Sequence, residues 1–361
     1  MIIKYFSRSF FQTSKAVRFT FDEIQDCNSN LNEKIEVAYG SQGLGLAIVS
    51  GIPNYSRMRH QLLPLAQKLA SQPQEYLKTL EQPSSFYSKG WSCGVEQFKG
   101  KFDKSKGSFY NNPIYDEFQP LNVEFQDQIK KGNLIRIPNV WPRKHIPELE
   151  GAFKNLGRLM VDVGALLAYH IDKYIHSKCN TYEMGKLYRF IRTGDSHVGR
   201  LLHYFDGPNT EEWCGWHNDH SALTALTCPI YMNQDKIMDY QDKEGGLFAK
   251  NRFAEIVKIG MDPECLAFQI GETAQIVSGG IVEATPHCVV KSDETVRLGL
   301  NRNTFAVFMG PVFHEILNVP QGIDKSSALN KIAYNIPPLL GRWDQDMTYL
   351  EYSSNCLKAY S

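Results

Sequence analysis

Apolar positions along this chain follow two different periods. In SRMRHQLLPLAQKLASQPQEYLKTL (Ser56 to Leu80) and again from about Pro147 to Ser177, Leu, Ile, Val and Met recur three and four apart, which predicts two amphipathic helices. GLGLAIVSGIPN (Gly43 to Asn54) is a short apolar run bounded by glycine and ended by proline, as a strand would be. From Arg200 to Pro311 the runs are short and rich in Thr, Val and Ile, as in SALTALT, HCVV and TVRLGLNRNTFAVFMGP, and they predict a succession of strands. Residues 86 to 145 are rich in Gly, Pro, Asn and aromatics and read as an irregular segment. The connection from Cys228 to Gly245 is polar and reads as a loop. No repeat or low-complexity linker divides the chain, which predicts one structural body.

The chemistry concentrates in the strand-rich part. His217 and Asp219 are two apart, so on a strand both side chains leave one face, whereas on a helix they diverge by roughly 200°. Two imidazoles and one carboxylate on one side of an iron ion leave the opposite positions open for ligands. One His-x-Asp triplet is weak on its own. A second, His170-Ile171-Asp172, lies within the long helical pattern, where its side chains should point apart, and is read as structural. What distinguishes the first copy is its company: His287 precedes the apolar run CVV, and Arg297 stands in TVRLGL, read as the partner strand of a hairpin. A planar guanidinium there suits the far carboxylate of a 2-oxo diacid whose other end chelates the metal.

This constellation, with WHNDHSALTALT, IGETAQIVSGG and the closing VRLGLNRNTFAVFMGP, resembles the isopenicillin N synthase-like branch of the Fe(II)/2-oxoglutarate-dependent oxygenases. The resemblance implies a mainly β fold, a double-stranded β-helix or jelly roll with flanking helices and an α/β N-terminal region. It implies His217, Asp219 and His287 as iron ligands, and Arg297 and Tyr204 as the residues that hold 2-oxoglutarate. It also places the polar connection from Cys228 to Gly245 near the metal end. The activity implied is a dioxygenase that uses Fe(II), 2-oxoglutarate and O2 to hydroxylate or desaturate a small organic metabolite. Gly299 stands where the family's Arg-x-Ser motif would put serine, and Leu202 where relatives carry asparagine. Two alternatives therefore remain: an iron oxidase that dispenses with 2-oxoglutarate, or an inactive oxygenase fold serving as a structural subunit of a mitochondrial complex.

Bulk properties narrow the partners. Lys plus Arg equals Asp plus Glu at 39 each, so nothing in the charge balance points to nucleic acid. The 8 cysteines include no C-x-x-C pair, which argues against a zinc site and a disulfide framework and for reduced thiols. No apolar run approaches the ~20 residues of a membrane span. Residues 1 to 21 contain no acid and are basic and amphipathic on a helical wheel, the composition of a mitochondrial transit peptide. An ordinary N-terminal arm is the other reading. The expected organisation is thus a leader at 1–21, an α/β region at 22–150, and a helix plus oxygenase core at 151–361 that forms one body with it.

Overall fold

Leu46–Ser50, the apolar run after Gly45, forms the strand expected of it and pairs with both Val17–Thr20 and Leu266–Ile270. From this seed a large sheet spreads across the molecule. The computed structural model describes residues 13–14, 16–85, 89–95, 97–98, 101–117, 137–207, 212–329 and 336–359. Across the large sheet the strands run Val17–Thr20, Leu46–Ser50, Leu266–Ile270, Leu223–Thr227, Asn301–Met309, Val198–Tyr204, Lys106–Asn111 and Gly90–Cys93. A smaller five-stranded sheet runs Thr13–Ser14, Ile256–Ile259, Gly246–Lys250, His287–Val290 and Glu212–His217.

The two sheets face each other. Leu46, Ile48, Leu202, Tyr204 and Ala306 of the large sheet form one apolar cluster with Trp213, Leu247, Val257 and Val289 of the small one. Strand alternation then sends Leu201, Phe305 and Val307 to the outer face, where they join Leu149, Phe153, Met160 and Ile171 of the long helix Glu148–Lys178. Both faces of the large sheet are therefore buried, which is why Asn301–Met309 is buried along nearly its whole length and closes on the continuous apolar run Phe305–Met309. The β-rich, helix-flanked body expected from the sequence is what the chain forms.

The long helix begins at Glu148 behind Pro147 and carries acids in its first turn and His176 and Lys178 in its last, matching the helix dipole. His170 and Asp172 sit inside it as structural residues. His170 Nε2 contacts the Ile24 carbonyl, and the buried Asp172 carboxylate accepts from the Tyr182 hydroxyl at 2.5 Å and from the backbone N–H groups of Leu187 and Tyr188. Those two amides belong to the first turn of helix Lys186–Thr193, so Asp172 ties the start of one helix to the interior of another. Lys186–Thr193 is helical, and the strands expected from Arg200 open at Val198.

Two further expectations are corrected. The polar connection after Cys228, expected near the metal end, forms a hairpin, Ile230–Asn233 with Lys236–Met238, whose first strand pairs with Asn301, Arg302 and Asn303. It therefore lies toward the start of strand Asn301–Met309, whereas Leu223, just after Asp219, pairs with Met309 at the strand's other end. The loop thus stands away from His217 and Asp219. The amphipathic-helix reading of the first 21 residues fails over Val17–Thr20, a strand paired with Leu46–Ser50 whose Phe19 is wholly buried. Residues 1–12 and 15 lie outside the described residues.

Removing the Asp172 carboxylate leaves a buried hydroxyl and two helix N-terminal amides without an acceptor. Asp172→Ala should lower the unfolding free energy by about 3 kcal/mol. Denaturant unfolding followed by circular dichroism checks this, and a loss below ~1 kcal/mol would show that water replaces the carboxylate without penalty.

Candidate metal centre

Strand Glu212–His217 pairs antiparallel with His287–Val290, and the register sets His217 directly against His287. Facing residues on neighbouring strands are neighbours in space, and the two imidazole centroids lie 4.2 Å apart. Asp219 falls just past the end of its strand rather than on it, and its buried carboxylate turns back between the rings. Its Oδ1 is 3.7 Å from His217 Nε2 and 3.8 Å from His287 Nε2. One ligand atom from each of the three lies within 4.8 Å of the others, and no other group of three or more His, Cys, Asp or Glu among the described residues does this.

Each ring is fixed by its other nitrogen. His217 Nδ1–H donates to the Gly215 carbonyl at 2.7 Å, and His287 Nδ1 lies 3.2 Å from the Thr285 carbonyl and 2.5 Å from the Gln269 side-chain amide nitrogen. The Nε2 edges are left to face Asp219, as a metal-binding imidazole requires. Burial and the neighbouring His217 push His287 down to about 4, against the pull of Asp219. Burial also acts against charge on His217, but Cys214 and Asp219 outweigh it and raise that imidazole to about 9. Near neutral pH the centre therefore pairs one neutral ring with one proton-bearing ring beside a carboxylate. A divalent cation between the three side chains would replace that proton.

The loop carrying Asp219 is clasped by the turn that follows strand Leu266–Ile270. Glu272 N–H donates to the Asp219 carbonyl at 2.8 Å, Gly271 N–H to that of Ala222, and Thr273 N–H to that of Ser221. His220 points away from the triad, toward Ser353 Oγ at 3.1 Å, and is not a ligand in this geometry.

The expected anion anchor is not brought to this centre. Residues Asp293–Arg297 form a short helix and not a strand, because Ser292 caps it by accepting from Thr295 N–H and two acids fill its first turn. Arg297 ends that helix with its side chain 76% exposed, 3.5 Å from Glu294. Gly299 adopts φ +60, the left-handed conformation that ends helices. It is a helix terminator, not a vacated serine position.

A guanidinium that does enter the interior between the sheets is Arg302, on strand Asn301–Met309 opposite Tyr204. It is 4% exposed and stacks over the rings of Tyr204 at 5.0 Å and Trp213 at 5.9 Å. Its Nε and Nη1 have no hydrogen-bond partner, and no carboxylate among the described residues pairs with it. A buried cation in that state is costly unless an anion joins it. Two positions on, Thr304 supplies a buried hydroxyl, at present bonded to the Thr227 carbonyl at 3.0 Å. Arg302-Asn303-Thr304 thus offers an Arg-x-hydroxyl triplet, the pattern expected at Arg297. The signal was there, an arginine and a threonine two apart at the head of the apolar run Phe305–Met309.

No family model and no curated protein matches the chain. Solved structures do. A protein assigned to the 2OG-Fe(II) oxygenase family from Caulobacter crescentus aligns over 96% of this chain and 99% of its own, with TM-score 0.69 at 19% identity. A full-length Neurospora crassa protein, solved with alpha-KG and 5-formyluracil, aligns over 95% and 96% with TM-score 0.60 at 16% identity. JOX2, solved with 2OG, Fe and JA, aligns over 98% and 92% with TM-score 0.61 at 15% identity. The protein has the fold of the 2OG-Fe(II) oxygenase family.

Proposed function

We propose that this protein is an Fe(II)- and 2-oxoglutarate-dependent dioxygenase that hydroxylates or desaturates a small organic molecule, and that its two facing sheets are the family's double-stranded β-helix. One observation carries the reading: three metal-ligand side chains converge at one end of the sheet interior, while farther along the same interior a buried guanidinium lacks an anion. A dianion with one chelating end and one free carboxylate answers both needs. Solved proteins of this fold were crystallised with that co-substrate.

In this reading His217, Asp219 and His287 hold iron, which supplies the oxygen-dependent redox chemistry when bound. Arg302 meets the distal carboxylate of 2-oxoglutarate, with Thr304 and the Tyr204 hydroxyl beside it. Trp213 and Tyr204 wall the guanidinium from water, so the ion pair forms in a medium of low dielectric and is strong. Arg200 lies on the same strand as Tyr204, over the ring of Tyr110 at 5.0 Å, and adds positive potential to this part of the interior. Of the two departures behind the reading without 2-oxoglutarate, Gly299 and Leu202, Arg302-Asn303-Thr304 weighs against the first. The complete triad weighs against a purely structural subunit. We further propose mitochondrial import, supported by the basic, acid-free start, with any removed leader ending before the strand Val17–Thr20.

Anaerobic titration of the Fe(II)-loaded protein with 2-oxoglutarate, following the visible charge-transfer band, tests the assignment. Arg302→Met should weaken 2-oxoglutarate on the order of 100-fold, while Arg297→Met should change it less than ~2-fold. The opposite ranking would return the anchor to the surface helix, and no band in the unaltered protein would end the proposal.

The two histidines also predict a pH dependence. His287, held at about 4, is already neutral above pH 5. His217, raised to about 9, must lose its proton to bind a cation. Mn(II) affinity measured anaerobically should rise about tenfold per unit between pH 5 and 7, with about one proton released per ion. A flat profile over that range would mean that no His217 proton is displaced by the ion.

A further inference from the structure

Glu272 opens the short helix Glu272–Val277, and its side chain is wholly buried. A carboxylate there is costly unless its oxygens are met by donors. Both are. Oε1 accepts from Arg342 Nη2 at 2.7 Å and from Asn218 Nδ2 at 3.1 Å. Oε2 accepts from Arg342 Nη1 at 2.7 Å and from the Tyr352 hydroxyl at 2.6 Å. Arg342 directs its remaining donors to the carbonyls of Pro337 and Pro338 and to Cys356 Sγ, so each N–H of its guanidinium has a partner.

The position of these partners gives the cluster a meaning beyond packing. Asn218 stands between His217 and Asp219, and the Glu272 backbone N–H holds the Asp219 carbonyl at 2.8 Å. One residue thus grips the ligand loop twice, by its amide and by its carboxylate. That carboxylate is gripped in turn by Arg342 and by Tyr352 of the C-terminal helix Tyr349–Ala359. Ser353 of the same helix reaches His220 on the loop. A well-packed apolar pair would fill such a volume at lower cost, but it would not orient Asn218.

We infer that Glu272 is a positioning residue for the metal ligands, anchored by Arg342 and Tyr352, so that the C-terminal segment completes the metal centre instead of merely covering the sheet. This rests on the proposed function. Residues that orient metal ligands from behind typically contribute 10–100-fold in metal affinity.

The test uses the full chain, with Mn(II) affinity by electron paramagnetic resonance and the visible spectrum of the Co(II)-loaded protein as readouts. Tyr352→Phe keeps the ring and removes only the hydroxyl, and Asn218→Ala breaks the link to the loop. Both should fold cooperatively, bind Mn(II) at least ~10-fold more weakly and shift the Co(II) bands. Asp172→Ala, which breaks a different buried carboxylate cluster, should lose stability and leave both readouts unchanged. Should Tyr352→Phe and Asn218→Ala bind Mn(II) within ~2-fold of the unaltered protein with superimposable Co(II) spectra, the inference falls while the functional reading stands. Should the unaltered protein bind neither ion, both fall together.

Discussion

The register between Glu212–His217 and His287–Val290 is the constraint on which the centre depends. A ladder slip of one residue would turn one imidazole to the opposite face of the small sheet. Holding that register is a global matter. The apolar cluster between the sheets fixes which face of each strand points inward, through Trp213 and Val289 on these two strands and Leu202 and Ala306 across from them. Packing energy spread over many residues is converted into the placement of two nitrogen atoms.

The interior then divides by chemistry. At one end stand groups that suit a cation: two imidazole edges and a carboxylate. Farther in, Arg302 suits an anion and is flanked by aromatic faces. No carboxylate among the described residues meets the guanidinium, and Asp219 is met only by a histidine proton that a cation would displace; an extended bifunctional ligand is the simplest way to satisfy both. Buried charge without a partner is an outlay that folding alone does not explain.

How much of this could be read beforehand depended on the distance over which each signal acts. The strand at Leu46–Ser50 and the helix at Glu148–Lys178 follow from local periodicity, and both formed where expected. His217, Asp219 and His287 were recognisable because their types and spacing are specific to one chemistry. Arg297 misled because Val296 and Leu298 beside it look strand-like, whereas Ser292 and two acids upstream start a helix. Gly299 was informative, but about backbone conformation rather than ligand binding. Val17–Thr20 could have been seen as a strand from its apolar/polar alternation, which the fold bears out with Phe19 in and Arg18 and Thr20 out. The Glu272–Arg342 pair could not, since partners 70 positions apart leave no periodic trace and only the folded chain brings them together.

The strand Val17–Thr20 also closes the rim of the large sheet, occupying the ladder positions that Leu46–Ser50 would otherwise present to solvent. An uncapped, apolar rim invites pairing with another molecule and growth into aggregates. This short basic segment therefore acts as a guard for colloidal behaviour: its arginine faces outward while its phenylalanine plugs the body, and the chain keeps its most adhesive edge to itself.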